Sequence, residues 1–105
     1  YEIIQESACD ETAIVNTTSG PGSIYAIHFV NSNNAASLKL FDAESVTMGT
    51  TVADMVFKIA ANSTTMVEIP QGLPYTYLSF AVTANSNPQD NAAPAAGVNV
   101  RFLVG

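Results

Sequence analysis

The stretch GVNVRFLV, residues 97–104, decides the fold class of this 105-residue chain. Four apolar residues, beginning at Val98, stand at every second position, and the polar residues Asn99 and Arg101 alternate with them. A period of two residues is typical of a β-strand with one face in a core and the other towards solvent. The pattern assigns one face of the strand to the core: Val98, Val100, Phe102 and Val104.

Short runs of the same kind recur along the chain, rich in β-branched and aromatic residues and bounded by turn-forming residues. No segment of a dozen residues has the 3.6-residue period of an amphipathic helix. The runs predict seven strands, at 12–18, 23–31, 36–42, 54–60, 63–69, 75–84 and 97–104. We therefore predict an all-β fold, an antiparallel β-sandwich or jelly roll of seven to eight short strands without substantial helix.

Two short turns divide the middle of the chain. The sequence ANS at 61–63 predicts a tight hairpin between the fourth and fifth strands. The sequence PQGLP at 70–74 predicts the end of the fifth strand, because proline has no N–H to donate to a sheet.

The segments outside the strands divide the chain into an N-terminal arm, 1–11, and one domain, 12–105. The arm is acidic and partly apolar, and it either adds an eighth strand or extends onto a neighbouring subunit. Two long loops of small residues, 43–53 and 85–97, are expected near opposite strand ends, where partner contacts are common. The arm and loops supply the candidate partner-contact residues: Tyr1, Ile3, Ile4, Met48, Gly49, Thr50, Asn87, Pro88, Gln89 and Asp90.

The charge of the chain excludes several classes of partner. Three basic residues against nine acidic ones give a net charge of −6, and no basic cluster exists to bind nucleic acid or an anionic membrane surface. No apolar run approaches the roughly 20 residues of a membrane-spanning helix. Only 11% of the residues are charged, so we expect other subunits or partners to cover part of the surface.

His28 is the only histidine of the chain. Alternation places it opposite Ile27 and Phe29, and the sequence contains neither a GxSxG motif nor a papain-like cysteine context. One interpretation is a hydrolase whose general base is His28, with a partner distant in sequence. The favoured interpretation is a strand histidine whose ring bonds to backbone or to a neighbouring subunit, so no catalytic residue is predicted.

No motif for a phosphate, metal or cofactor site is present. The glycines of GPG at 20–22 precede a strand, whereas a phosphate loop follows a strand and opens a helix. The carboxylates at 10–11 and 42–44 lack the spacing of a calcium loop. Cys9 and His28 alone do not make a four-ligand metal site. We expect Cys9 to be a free thiol and the chain to use no cofactor.

Several short motifs follow one another along the chain: Gly20-Pro21-Gly22, Tyr25, Ile27, Lys39-Leu40-Phe41-Asp42, Asp54-Met55-Val56 and Pro70-Gln71-Gly72-Leu73. Their order resembles that in small virion proteins of tailed bacteriophages. The resemblance covers about two-thirds of the chain and excludes the N-terminal arm and the loop at 85–97.

The resemblance implies a non-enzymatic β-sandwich on the outer capsid surface, a decoration (cement) protein, or else a neck, tail or fibre component. Its partners would be capsid or other virion proteins, and cyclic homo-oligomers, above all trimers, suit such a lattice. The arm and long loops would lie across the junctions between capsid proteins, with many weak contacts acting together. The alternative is a carbohydrate- or receptor-binding module, in which Tyr75 and Tyr77 would stack on sugars instead of filling a core or an interface.

Overall fold

The computed structural model describes all residues, 1–105, and contains seven strands, no helix and two antiparallel sheets. The four-stranded sheet, sheet A, has the order β1-β7-β2-β5, and the three-stranded sheet, sheet B, has the order β4-β3-β6. The predicted all-β sandwich is confirmed. The strand bounds are β1 (Glu2–Cys9), β2 (Gly22–Asn31), β3 (Ala36–Phe41), β4 (Met55–Ile59), β5 (Ser63–Tyr75), β6 (Ser79–Thr83) and β7 (Val98–Val104).

The core lies between the two sheets and is built from alternate residues of their strands. All four apolar residues assigned to the core face of β7 are buried there, as are Leu78, Phe80 and Val82 around β6. The rings of Phe80 and Phe102 meet across the core with their centroids 4.7 Å apart. The period-two pattern therefore predicted the inward faces of these strands correctly.

The predicted strand at 12–18 is wrong. Only Ile14 in this segment pairs with a strand, through two 2.9 Å backbone hydrogen bonds exchanged with Phe80 at the free edge of β6. Asn16 has a left-handed backbone (φ 48°), which interrupts the extended conformation that a strand requires. The segment covers an edge of sheet B without becoming one of its strands.

The N-terminal arm is the edge strand of sheet A. Strand β1 pairs with β7 of the same chain, from Glu2 opposite Val104 to Cys9 opposite Val98. The side chain of Cys9 is buried in the core as a free thiol. Of the two predicted arrangements of the arm, the structure has the additional strand, and the total remains seven because residues 12–18 do not form one.

Strand β5 continues through PQGLP, contrary to prediction. It is an edge strand, and an edge strand tolerates proline where the missing N–H would have faced solvent. Gly72 adopts a left-handed backbone (φ 79°) within a bulge that places residues 69–72 of β5 opposite Tyr25. The consequence is a long β5 and a short β6, which begins at Ser79 and not at residue 75.

The turn at 61–63 exists but does not close a hairpin. Asn62 has a positive φ of 48°, as a tight turn requires, yet β4 before it belongs to sheet B and β5 after it belongs to sheet A. The chain therefore crosses from one layer of the sandwich to the other at this point.

Candidate interaction surfaces

The outer face of sheet A is open to solvent along its whole width. Cross-strand pairing places Ile3, Leu103, Ala26 and Glu68 in one row, and Gln5, Arg101, His28 and Met66 in the next. Ile3 is 63% exposed and Met66 is 56% exposed, although both residues are large and apolar. An exposed apolar patch of this kind commonly marks a binding surface.

A concavity of about 590 Å³ lies on this face. Its walls include Ile3, Tyr25, Met66 and Leu103, so most of its lining is apolar. At its rim Tyr1, which is 93% exposed, packs edge-on against Tyr25 with ring centroids 5.6 Å apart. The volume falls in the range of small-ligand pockets, roughly 300–1,000 Å³.

Arg101 and His28 form the polar centre of the concavity. They are direct neighbours across the β7–β2 pair, and both line the concavity. The one ion pair of the chain joins Lys39 to Asp90, so the Arg101 guanidinium has no carboxylate partner. The His28 ring makes no hydrogen bond within the chain either. The predicted position of His28, opposite Ile27 and Phe29, is confirmed, but the hydrogen bond to its own backbone is absent.

The outer face of sheet B, in contrast, is covered along β3 and β6, whereas Lys58 on the edge strand β4 is exposed. Every residue of β3 and β6 is buried, including those whose side chains point away from the sandwich core. Phe41, Ala53 and Ala81 form a second apolar cluster on this side, with Val46 and Met48 packed against it. The cover is made by the two long loops predicted as partner-contact segments.

The two loops leave sheet B from opposite ends, as expected, but they meet over its outer face. The side-chain amide of Gln89 donates to the Thr50 carbonyl (3.0 Å), and the Ala53 N–H donates to the Pro88 carbonyl (3.1 Å). The two loops are therefore joined to each other by hydrogen bonds.

Lys39 anchors the second loop from below. Its ammonium, wholly buried, donates to the Thr83 hydroxyl and to the carbonyl oxygens of Asn85 (3.0 Å) and Asp90 (3.3 Å), and lies 3.9 Å from the Asp90 carboxylate. Burial lowers the pKa of Lys39, and the nearby Asp90 opposes that shift. Burial alone would raise the pKa of Asp90, but hydrogen bonds from Asn85 and the attraction of Lys39 hold it below its usual value.

The ten predicted contact residues therefore fall into two groups. On sheet A, Tyr1 and Ile3 lie on the open face, whereas Ile4 points the other way and packs partly against the core. Over sheet B, Met48 is half-buried in the second cluster and Asp90 is tied to Lys39. The remaining residues are exposed on the loops: Gly49, Thr50, Asn87, Pro88 and Gln89.

Sequence reasoning missed the side chains that complete the open face, namely Tyr25, Met66, Arg101 and Leu103. Alternation contained the signal for two of them: Arg101 and Leu103 are out of phase with the core residues of β7, and Leu103 is apolar where a solvent-facing strand residue is normally polar. Tyr25 is in phase with the buried Ile27 and reaches the outer face because the pairing of β2 is irregular between Ile24 and Ala26, which the sequence does not show. No core face was assigned to the predicted strand at 63–69, so Met66 was not placed on either face.

The tyrosines of the sugar-stacking interpretation lie elsewhere. Tyr75 is buried in the core and Tyr77 is half-buried, so Tyr75 fills the core as the favoured interpretation predicted. Asp42, next to them, accepts hydrogen bonds from the N–H groups of Thr76 and Tyr77 (both 2.8 Å). Nowhere do three His, Cys, Asp or Glu side chains come together as metal ligands would.

Comparisons of the chain with protein-family models, with curated proteins and with solved structures give no match. None of the structure's elements is a helix of the length and apolarity that a bilayer crossing requires.

Proposed function

We propose that the chain is a non-enzymatic structural module that docks on another protein through the outer face of sheet A, and that it serves as a capsid decoration (cement) protein on the outside of a tailed-phage virion. The observation that carries the docking proposal is the contrast between the two outer faces. Sheet B is covered by the chain's own loops, whereas sheet A leaves Ile3 and Met66 exposed around a concavity. The motif resemblance supplies the virion context.

The surroundings of His28 support a role without catalysis. A general base needs a proton donor or a nucleophile within hydrogen-bond distance, commonly with a carboxylate to orient its ring. No hydroxyl or carboxylate of the chain hydrogen-bonds to His28, and its neighbour across the strands is the cationic Arg101.

The size of the open face favours a partner that offers many identical sites. The four strands lie side by side over about seven residues, the length of β7, although β1, β2 and β5 are longer. At roughly 4.8 Å between strands and 3.3 Å per residue, the shared face measures about 19 by 23 Å, on the order of 440 Å². A stable protein complex usually buries about 800 Å² on each partner. One sheet face would bind weakly, so a cyclic oligomer, with a trimer favoured, would gain affinity by engaging several capsid sites at once.

Copy number in virions tests the proposal. The chain would be quantified by mass spectrometry in purified virions made from the genome that encodes it, relative to the major capsid protein, with a tail protein as the control for low copy number. Hundreds of copies per particle support decoration. A handful of copies would replace decoration with a neck, tail or fibre role, and absence from the particles would overturn the virion assignment.

A glycan- or receptor-binding module is the second candidate, and one observation favours it. The exposed Tyr1 packs against Tyr25, and Tyr25 lines the concavity together with the carboxylate-bearing Glu68. Binding of the isolated chain to a glycan array, lost on Tyr1→Ala and retained on Tyr77→Ala, would establish this role in place of decoration.

A further inference from the structure

We propose that the outer face of sheet A recognises an acidic side chain on an extended segment of its protein partner. The carboxylate would lie between Arg101 and His28, and an apolar side chain two residues along the partner segment would lie against Ile3 and Leu103. This inference rests on the proposed function, because it names the chemistry of the surface that docks there.

The distribution of cations is the first argument. The chain has only three Lys and Arg residues. Lys39 is buried and paired with Asp90, and Lys58 lies on β4 at the edge of sheet B. Arg101 is therefore the single Lys or Arg on sheet A, and it is unpaired in a chain that carries nine carboxylates. A guanidinium whose donors have no partner inside its own chain matches a carboxylate supplied from outside.

The geometry of the face is the second argument. Directly paired residues in antiparallel strands have their Cβ atoms about 4.5–5.5 Å apart, so the Arg101 guanidinium and the His28 ring reach one oxygen-bearing group together. The apolar floor around them keeps water from one side of the site, which strengthens a hydrogen-bonded ion pair.

The spacing of the rows defines the partner segment. Leu103 follows Arg101 by two positions on β7, and Ile3 precedes Gln5 by two on β1. The row that holds Ile3 and Leu103, with Glu68 at its far end on β5, therefore lies about 6.6 Å from the row that holds Arg101 and His28. The same distance separates residues i and i+2 of an extended chain. A segment lying along the strands with the order acidic, any residue, apolar would satisfy both rows. A second copy of this face would bring another cationic centre, which favours a different chain as the partner.

The test is a titration of the uniformly ¹⁵N-labelled chain with two peptides, Ac-Gly-Glu-Ser-Leu-Gly-NH₂ and the same peptide with Gln in place of Glu. We expect the Glu peptide to bind at least tenfold more tightly, a difference of about 1.4 kcal/mol. The amide shifts should centre on residues 26–28 and 101–103. In Arg101→Gln the preference for the Glu peptide should fall to nearly one, and the matched control Lys58→Gln should keep it.

Three results would overturn the inference: equal affinity for the two peptides, shifts centred on the loops at 43–53 and 85–97, or hexanoate binding as tightly as the Glu peptide. The last result would show a site for a small carboxylate and not for a protein segment. The proposed function is tested separately by the copy number. Virions that incorporate Arg101→Gln at the wild-type level would remove only the acidic-segment inference, whereas a chain absent from virions that still prefers the Glu peptide would remove only the decoration role.

Discussion

Strands β3 and β7 follow the same alternating pattern and carry a cation at the same place, in the middle of the outward face. In β3 that cation is Lys39, which is buried. It makes three hydrogen bonds, to Thr83, Asn85 and Asp90, and an ion pair with the Asp90 carboxylate. In β7 it is Arg101, which is exposed and unpaired. The outer face of sheet B is therefore buried within the fold along β3 and β6, whereas the outer face of sheet A is open to solvent.

The difference between the two faces shows that strand sequence alone does not determine which outward residues are buried. The loops decide it, because the chain between β3 and β4 and the chain after β6 fold back over sheet B, while no loop crosses sheet A. The predictions below test this division, beginning with the largest expected effect.

Truncating the cluster beneath the loops should destabilise the fold strongly. Phe41 is buried between sheet B and Ala53, so Phe41→Ala should lower the free energy of unfolding by about 3–5 kcal/mol. Met66→Ala, the matched truncation on sheet A, should change it by about 0.5 kcal/mol or less, because Met66 is already exposed. Urea denaturation followed by circular dichroism measures both, and equal losses would contradict the division of the two faces.

Removing the buried cation should cost less than removing the aromatic ring, but far more than removing the exposed cation. In Lys39→Met the Asp90 carbonyl oxygen loses its donor and the Asn85 carbonyl keeps only the Thr83 hydroxyl, while the Asp90 carboxylate loses its ion pair, so we expect a loss of about 2 kcal/mol. Arg101→Met removes no ion pair or side-chain hydrogen bond, and Arg101 is exposed, so the variant should stay within about 0.5 kcal/mol of wild type. The same denaturation experiment decides, and a neutral Lys39→Met would show that the loop holds without its anchor.

The sequence predicted the strands better than it predicted what lies between them. The core faces of β6 and β7 followed from alternation, because the period of two is a local property of the backbone. The continuation of β5 through PQGLP did not, because the tolerance of proline depends on β5 being at the edge of a sheet, which is a property of the whole topology. The meeting of the loops at Gln89 and Thr50 was unpredictable for the same reason, since those residues are far apart in sequence.

The open face of sheet A was the feature of the molecule least accessible to sequence reasoning. It combines the N-terminal strand with β7, β2 and β5, and only the pairing of the strands places Ile3, Arg101, His28 and Met66 together. Of the candidate contact residues in the arm, Ile3 lies on this face, whereas its neighbour Ile4 alternates inward.

Acid should lower the free energy of unfolding through the carboxylate of Asp90, which lies over sheet B. The folded-state pKa of Asp90 lies below its usual value near 3.8, so its contribution to stability is complete above that value and is lost as the pH falls through the folded-state pKa. Wild type should therefore lose more stability than Asp90→Asn between about pH 6 and about pH 3. Urea midpoints at the two pH values measure this difference. Parallel losses in the two proteins would show that Asp90 does not contribute to the acid sensitivity.

Ile3→Ser on the open face should change the free energy of unfolding as little as Met66→Ala and Arg101→Met. Ile3 is exposed at the edge of sheet A, so the free energy of unfolding should change by about 0.5 kcal/mol or less. Strand β1 should remain paired with β7, and Cys9 at the end of β1 reports on this pairing. Burial, with the negative charges of Glu6 and Asp10 adding to it, raises the pKa of the Cys9 thiol to about 12. Thiol reagents should therefore label Cys9 slowly in both wild type and Ile3→Ser. Incorporation of the variant into virions should nevertheless fall, because the row of Ile3 and Leu103 loses one of its two large apolar side chains. If Ile3→Ser enters virions at the wild-type level and its Cys9 is labelled slowly, docking does not use this face. If Cys9 of Ile3→Ser is labelled fast, Ile3 holds β1 in place, and the open face is also part of the fold.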